Sequence, residues 1–288
     1  MDKATSGQHT DERWGSAARR LGGMTSEITC EIADQVAFVR LNRPDKFNAL
    51  SMPMLQELVA TAHRLRRDAS VRAVVISGEG PAFCAGIDTS VLSSGLPGVL
   101  GAFLPRPWRG TNTFQEVCWA WRRIPAPVVA VVHGHCYGAG LQLALGADFR
   151  ISTPEAKWSV MEAKWGLIPD MSGVHALTQV VGLDTAKELT MTARTVTGAQ
   201  ARELGLVTRV AADPHLAAGE LIDEILIRSP DSVAATKRIF ERSWPGRARS
   251  TFGRERVEQL GLLLAKNTKI VRAAARSETP PVYAPRGR

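Results

Sequence analysis

Residues 125–151 read PAPVVAVVHGHCYGAGLQLALGADFRI. The run Pro127–His133 is apolar and mostly β-branched, as in a strand buried on both faces. Gly138-Ala139-Gly140 then supplies a turn of small residues, which gives way to a helical pattern through Leu145. Phe149–Ser152 returns to strand character. Strand, glycine-bearing turn, helix and strand in that order form the repeating unit of an α/β core.

The same form occurs upstream. Val71–Ile76 is a second short buried run, followed by GEGPAFCAGID (78–88), where glycine density rules out regular structure. Before it, Ile28–Leu41 alternates around Ala33-Asp34-Gln35 and reads as a hairpin. A helix follows from Ser51, a suitable N-cap, with Pro53 in its first turn and Leu55, Leu58, Val59, Ala62 and Leu65 on one face. Downstream of Thr113–Arg123, a further predicted helix, Thr197 and Gln200 form a capping-box pair, and Gly205 suits the end of the helix they open. Leu206–Val210 reads as a strand. From Leu216 onward the pattern is helical, broken at Pro230 and Pro245, and ends in an extended or disordered ETPPVYAPRGR. The expected organisation is a polar, disordered tail (1–26), an α/β core (27–215) and a helical region with its tail (216–288).

Bulk properties narrow the function. With 288 residues and 44% hydrophobic content the chain can bury a large core. It has no apolar stretch long enough to span a membrane and no secretory leader pattern, which points to the cytoplasm. Cys30, Cys84, Cys118 and Cys136 are widely spaced and read as reduced thiols, with none marked as activated. The formal charge of +8 is scattered rather than gathered into a basic stripe with aromatics, so a phosphate-rich small ligand explains it as well as nucleic acid does.

Both glycine-bearing turns open a helix, where backbone N–H groups lack partners. If the two turns face one another, their amides can hold one developing oxyanion. Two ordinary strand-to-helix turns is the plainer reading, and spacing alone favours it. Gly138-Ala139-Gly140 is not a dinucleotide fingerprint, because Leu143 stands where a third glycine is needed.

NRPDKFNAL (42–50), AFCAGID (82–88), residues 125–151 and MEAKWGLIPDMSG (161–173) together resemble the crotonase superfamily, the enoyl-CoA hydratase/isomerase family, in the family's order. The resemblance implies a spiral of ββα units with a C-terminal helical oligomerisation region, assembled as a homotrimer or a dimer of trimers. It implies an acyl-CoA substrate, no metal, and no cofactor beyond the CoA of the substrate. Carried onto this chain, the oxyanion-hole amides are those of Ile87 and Ala139, with Asp88 bracing the first turn. Implied substrate contacts are Lys46 and Phe47 in the first segment, and Ala85, Ile87, Asp88, Gly138 and Ala139 at the turns. Lys46 is a phosphate candidate set against a plain surface lysine; Lys269 and Arg272 are weaker ones.

Hydratases of the family hold a water between two glutamates. Here the second matches Glu162, but the first position is Gln142, which can orient a group but cannot take a proton. Asp170 matches the second acid of the dienoyl-CoA isomerase branch, against an alternative role as N-cap of a helix near Met171. Double-bond isomerisation by Glu162, assisted by Asp170 and with Gln142 positioning water or substrate, therefore fits better than hydration by an enoyl-CoA hydratase. A non-catalytic or RNA-binding protein on the same fold is the reading of another class. His133 and His135 lack a third metal ligand, and Ser172 lacks a nucleophile-elbow context. Trp119 and Trp121 read as core or acyl-tunnel wall.

Overall fold

The computed structural model describes residues 19–20, 26–93, 102, 104, 110–243, 261, 265–277 and 280–287. Among these, seven strands form the main sheet, in the order β1 (Arg19–Arg20), β2 (Ile28–Ala33), β3 (Val36–Leu41), β4 (Ala73–Gly78), β5 (Val128–Val132), β7 (Phe149–Ser152) and β10 (Arg209–Val210). A smaller sheet orders β6 (His135–Tyr137), β8 (Lys157–Ser159) and β9 (Val196–Thr197). The hairpin β2–β3 turns at Asp34 and Gln35, both at positive φ (47° and 68°), as a two-residue turn matched to strand twist requires. From β3 to β10 the main-sheet pairings are parallel.

The uninterrupted apolar runs follow from burial on both faces. Val74, Ile76, Val128, Ala130 and Val132 point into the larger core, beneath α1 (Met52–Arg67), α3 (Thr113–Arg122) and α4 (Ala139–Leu145). Ala73, Val75, Val129, Val131 and Ile151 point the other way, onto Ala218, Leu221 and Ile222 of α8 (Pro214–Leu226). The first helix of the C-terminal region thus closes the second face of the sheet. It starts at Pro214, capped by Asp213, whose carboxylate accepts from the His215 and Leu216 amides at 3.0 Å.

Several expectations meet the structure directly. Ser51 caps α1 by accepting from Met54 N, with Pro53 in the first turn. Thr197 and Gln200 form the full capping box of α7 (Gly198–Glu203), and Gly205 follows at φ 84°. The remaining helices are α2 (Thr89–Ser93), α5 (Gly173–Val181), α6 (Leu183–Thr192), α9 (Pro230–Ser243) and α10 (Lys266–Ser277). Pro230 marks the expected break, opening α9 after α8 ends at Leu226; Pro245 lies outside the described residues.

Other expectations are corrected. The segment after β5 does not pass straight into a helix: Gly134, at φ 59°, turns the chain into β6 first. Leu206–Val210 contributes only Arg209–Val210 as strand. Arg19–Arg20 pairs with β2, although most of the 1–26 tail lies outside the described residues. The C-terminal stretch is irregular but tied down. Arg286 donates to the carbonyls of Val71 (2.7 Å) and Arg66 (3.2 Å), and Gly287 N donates to Asp231 (2.7 Å).

Isolated bridges extend the smaller sheet, pairing Cys84 with Cys136 and Leu50 with Ile87. The 82–88 loop is therefore laid alongside β6, the strand that leads into the second glycine-bearing turn.

Candidate active site

The two turns meet. Cys84 N donates to His135 O at 2.9 Å, and Tyr137 N donates to Cys84 O at 3.0 Å. A methyl group placed on Gly86 would lie 3.9 Å from the Ala139 nitrogen. Leu50 bonds on either side of Ile87, donating to Gly86 O and accepting from Asp88 N, so the Ile87 N–H points away from it. Among the described residues neither Ile87 N–H nor Ala139 N–H has a hydrogen-bond acceptor. Gly138 sits at φ 51°, ψ −117°, a conformation that a side chain would strain.

Asp88 braces the first turn, as expected. One carboxylate oxygen accepts from Ser90 N at 2.9 Å, at the head of α2, and the other from Arg43 Nη1 at 2.5 Å. The Ser90 bonds and the Arg43 guanidinium hold its carboxyl down at about 2. Arg43 reaches also to Ala49 O (2.9 Å) and Glu27 (3.2 Å). Buried Asn48 accepts from Arg43 N and donates to the carbonyls of Glu79 and Ala82, with its backbone at φ 57°. Sequence reasoning singled out neither Arg43 nor Asn48. Their signal was a charged and an amide side chain flanking a proline turn in NRPDKFN. Lys46 is exposed; Phe47 is 46% exposed, with its carbonyl accepting from Ala85 N at 2.9 Å. Ala85 is half-buried between them and the turn.

Glu162 opens the short 3-10 turn Glu162–Trp165, directly over Gly138: a methyl group there would lie 3.4 Å from Glu162 Oε1. Gln142 Nε2 donates to Oε1 at 2.5 Å, while Oε2 is buried with no partner among the described residues. Burial raises the Glu162 carboxyl above its ordinary range, the Gln142 bond offsets part of that, and Asp170 adds to the rise. Burial likewise raises Asp170. Asp170 is not a helix cap. The following helix starts at Gly173, Ser172 holds the cap position at φ 65°, and no side chain caps it.

Gln142 also differs from the expectation that it handles water or substrate. Its carbonyl accepts from Met171 N (2.9 Å) and Gly173 N (3.1 Å), so protein partners engage that oxygen as well as the N–H that meets Glu162. A methyl group on Gly173 would fall 2.4 Å from that carbonyl oxygen, so only glycine admits this contact.

The remaining candidates fall to structural roles. His133 meets Gly80 O at 2.8 Å and His135 meets the Tyr137 hydroxyl at 3.0 Å. Trp121 is fully buried and donates to Val117 O; Trp119 packs on His175 under the Arg122 guanidinium. Burial pushes the Cys84 thiol up to about 12, which keeps it unreactive. Lys269 on α10 is exposed, and the Arg272 side chain lies outside the described residues.

Comparison with known proteins identifies the family. The family model of enoyl-CoA hydratase/isomerase matches residues 31–259. The human mitochondrial Delta(3,5)-Delta(2,4)-dienoyl-CoA isomerase is 38% identical over 210 residues, which span 70% of this chain and 64% of that protein. The crystal structure of an enoyl-CoA hydratase from Bacillus anthracis superposes with a TM-score of 0.83 at 25% identity, over 91% of this chain and all of the other. One from Mycobacterium smegmatis gives 0.80 at 28%, over 90% and 99%. A crotonase-type spiral, two abutting glycine-bearing turns and a match across most of its length place this chain in the enoyl-CoA hydratase/isomerase family.

Proposed function

We propose that this chain binds the carbonyl of an acyl-CoA thioester between the Ile87 and Ala139 amides and moves a double bond along the acyl chain. The observation that carries the reading is the pair of unengaged N–H groups beside the Glu162 carboxyl, whose Oε2 is unpartnered. Two donors on the thioester oxygen stabilise the enolate and make an adjacent C–H acidic enough for a carboxylate to remove. Glu162 takes and returns that proton, with a raised affinity that burial provides. Asp170, the second raised carboxyl, serves as the other proton station further along the chain. Only protons move, so the reaction needs no electron carrier, and CoA enters as part of the substrate.

Hydration is the weaker reading, because Gln142 occupies one water-holding position and bonds Glu162 directly. Lys46 and Phe47, both exposed and with Phe47 bonded to Ala85, are the side chains assigned to the CoA moiety in this reading. A homotrimer or dimer of trimers is the expected assembly, and exposed Trp165, Leu167 and Ile168 beside the site supply apolar surface for it. Light scattering at three or six times the 31.2 kDa chain mass would support it; a monomer would not.

The test is turnover of 2-enoyl-, 3-enoyl- and 3,5-dienoyl-CoA thioesters, with products followed by mass and ultraviolet absorbance. Isomerised products without mass gain are expected; a gain of one water on the 2-enoyl substrate alone would overturn the isomerase reading. Glu162→Gln should abolish turnover, by at least about 100-fold, while CoA-thioester affinity stays within a few-fold because the oxygen's ligands are main-chain groups. Wild-type activity in that variant would remove Glu162 from the mechanism.

A further inference from the structure

We infer that Gln142 is a positioning residue that ties Glu162 Oε1 to the start of α5, so that Glu162 presents Oε2 alone and carries its transferable proton on that atom. The inference rests on the reading of Glu162 as the proton carrier and says how that carrier is aimed.

The orientation of the Gln142 amide follows from its partners. Two main-chain N–H groups, from Met171 and Gly173, converge on one end of it. That end must be the oxygen, since an NH2 there would face two donors. The NH2 group then faces Glu162, at 2.5 Å from Oε1. An amide N–H only donates, so Oε1 is always an acceptor and a neutral Glu162 holds its hydrogen on Oε2. Three bonds fix the Gln142 side chain, which is 2% exposed, and Gly173 leaves the space they need. The carboxyl therefore cannot exchange the roles of its two oxygens by a flip without breaking the tie.

A glutamate at position 142 could satisfy the Met171 and Gly173 amides with one oxygen. Its other oxygen would face Glu162 Oε1 at hydrogen-bonding distance, and two carboxyls so placed share one proton between them. The hydrogen would then sit between residues 142 and 162 instead of facing the substrate. The other titratable groups that bear on this carboxyl are Asp170, before α5, and the buried Cys118 thiol of α3.

The experiment follows the Glu162 carboxyl by carbon-13 NMR in glutamate-labelled protein, with its resonance identified by its loss in Glu162→Gln. It needs no substrate. Wild type should give one titration step. Gln142→Met keeps the length and loses the donor, so the midpoint should rise by about one unit, and kcat should fall at least tenfold with KM within twofold. Gln142→Glu restores an acceptor for the two amides and should give two coupled steps, and it decides the matter if the Met variant does not fold. Unchanged midpoints in a folded Gln142→Met or Gln142→Glu variant would overturn the inference. Absence of turnover on every thioester would instead overturn the proposed function and leave the titration result standing.

Discussion

Glu162 sits where its ionised form is least welcome. Its native proton affinity exceeds the ordinary carboxylate value of 4.5, so between that value and the native one the folded chain binds more protons than the unfolded chain. Stability therefore falls as pH rises through that window, and the full cost is present above it. Glu162→Gln keeps an acceptor for Gln142 and carries no charge. Its Tm should exceed that of wild type at pH 8, and the gap should close below about pH 4.5, as differential scanning calorimetry at several pH values would show. A Tm equal to or below wild type at pH 8 would contradict the cause given. Under the proposed role of Glu162 as base, the rate should rise with pH through the same raised midpoint. Glu162, Asp170 and the departure at Gln142 were all legible in the sequence, because each is a residue type at a motif position. The aim of Gln142 was not. It depends on two main-chain amides 29 and 31 residues away, and a main-chain group leaves no mark on residue identity.

At the scale of elements, the position of the Ile87 amide depends on how the 82–88 loop is pinned. Asp88 joins that loop to Arg43 and starts α2, so Asp88→Ala should cost about 1–2 kcal/mol, as losing a helix-capping carboxylate does. It should also lower kcat several-fold while Glu162 remains intact; urea titration and steady-state kinetics would check both. The Asp88 contribution is present above its ordinary value of 3.8 and should fade as pH falls toward about 2. Elements announced by local chemistry were read correctly: the Ser51 cap, the Thr197–Gln200 box and the hairpin at Asp34–Gln35. Strands β6, β8 and β9 were missed. They are two or three residues long, too short to show a period, and pairing with distant segments holds them in place. Those strands, with the bridge from Cys84 to Cys136, bring the two turns together.

Across the whole molecule, the chain end is fastened 215 residues back in the sequence, to the Val71 carbonyl just before β4. Asn267 on α10 adds bonds to Ala284 in both directions, 2.9 and 3.1 Å. Deleting residues 280–288 removes these two bonds, the two from Arg286 and the one from Gly287, and should lower stability by about 5 kcal/mol, at roughly 1 kcal/mol per net hydrogen bond, without changing CoA-thioester affinity. A truncated chain with unaltered Tm would show that the tail's bonds add nothing. Composition suggested only an irregular tail, because carbonyl acceptors far away in sequence decide its attachment. The two-faced burial of the sheet was legible, since it demands unbroken apolar runs at each central strand.

All four cysteines are buried thiols, on β2, α3 and the two bridged segments beneath the turns. Native protein should therefore resist iodoacetamide, and each thiol should become alkylated only when the part of the fold around it opens. Mass spectrometry of briefly labelled samples would then report, site by site, whether the floor of the two glycine-bearing turns comes apart before the hairpin or together with it.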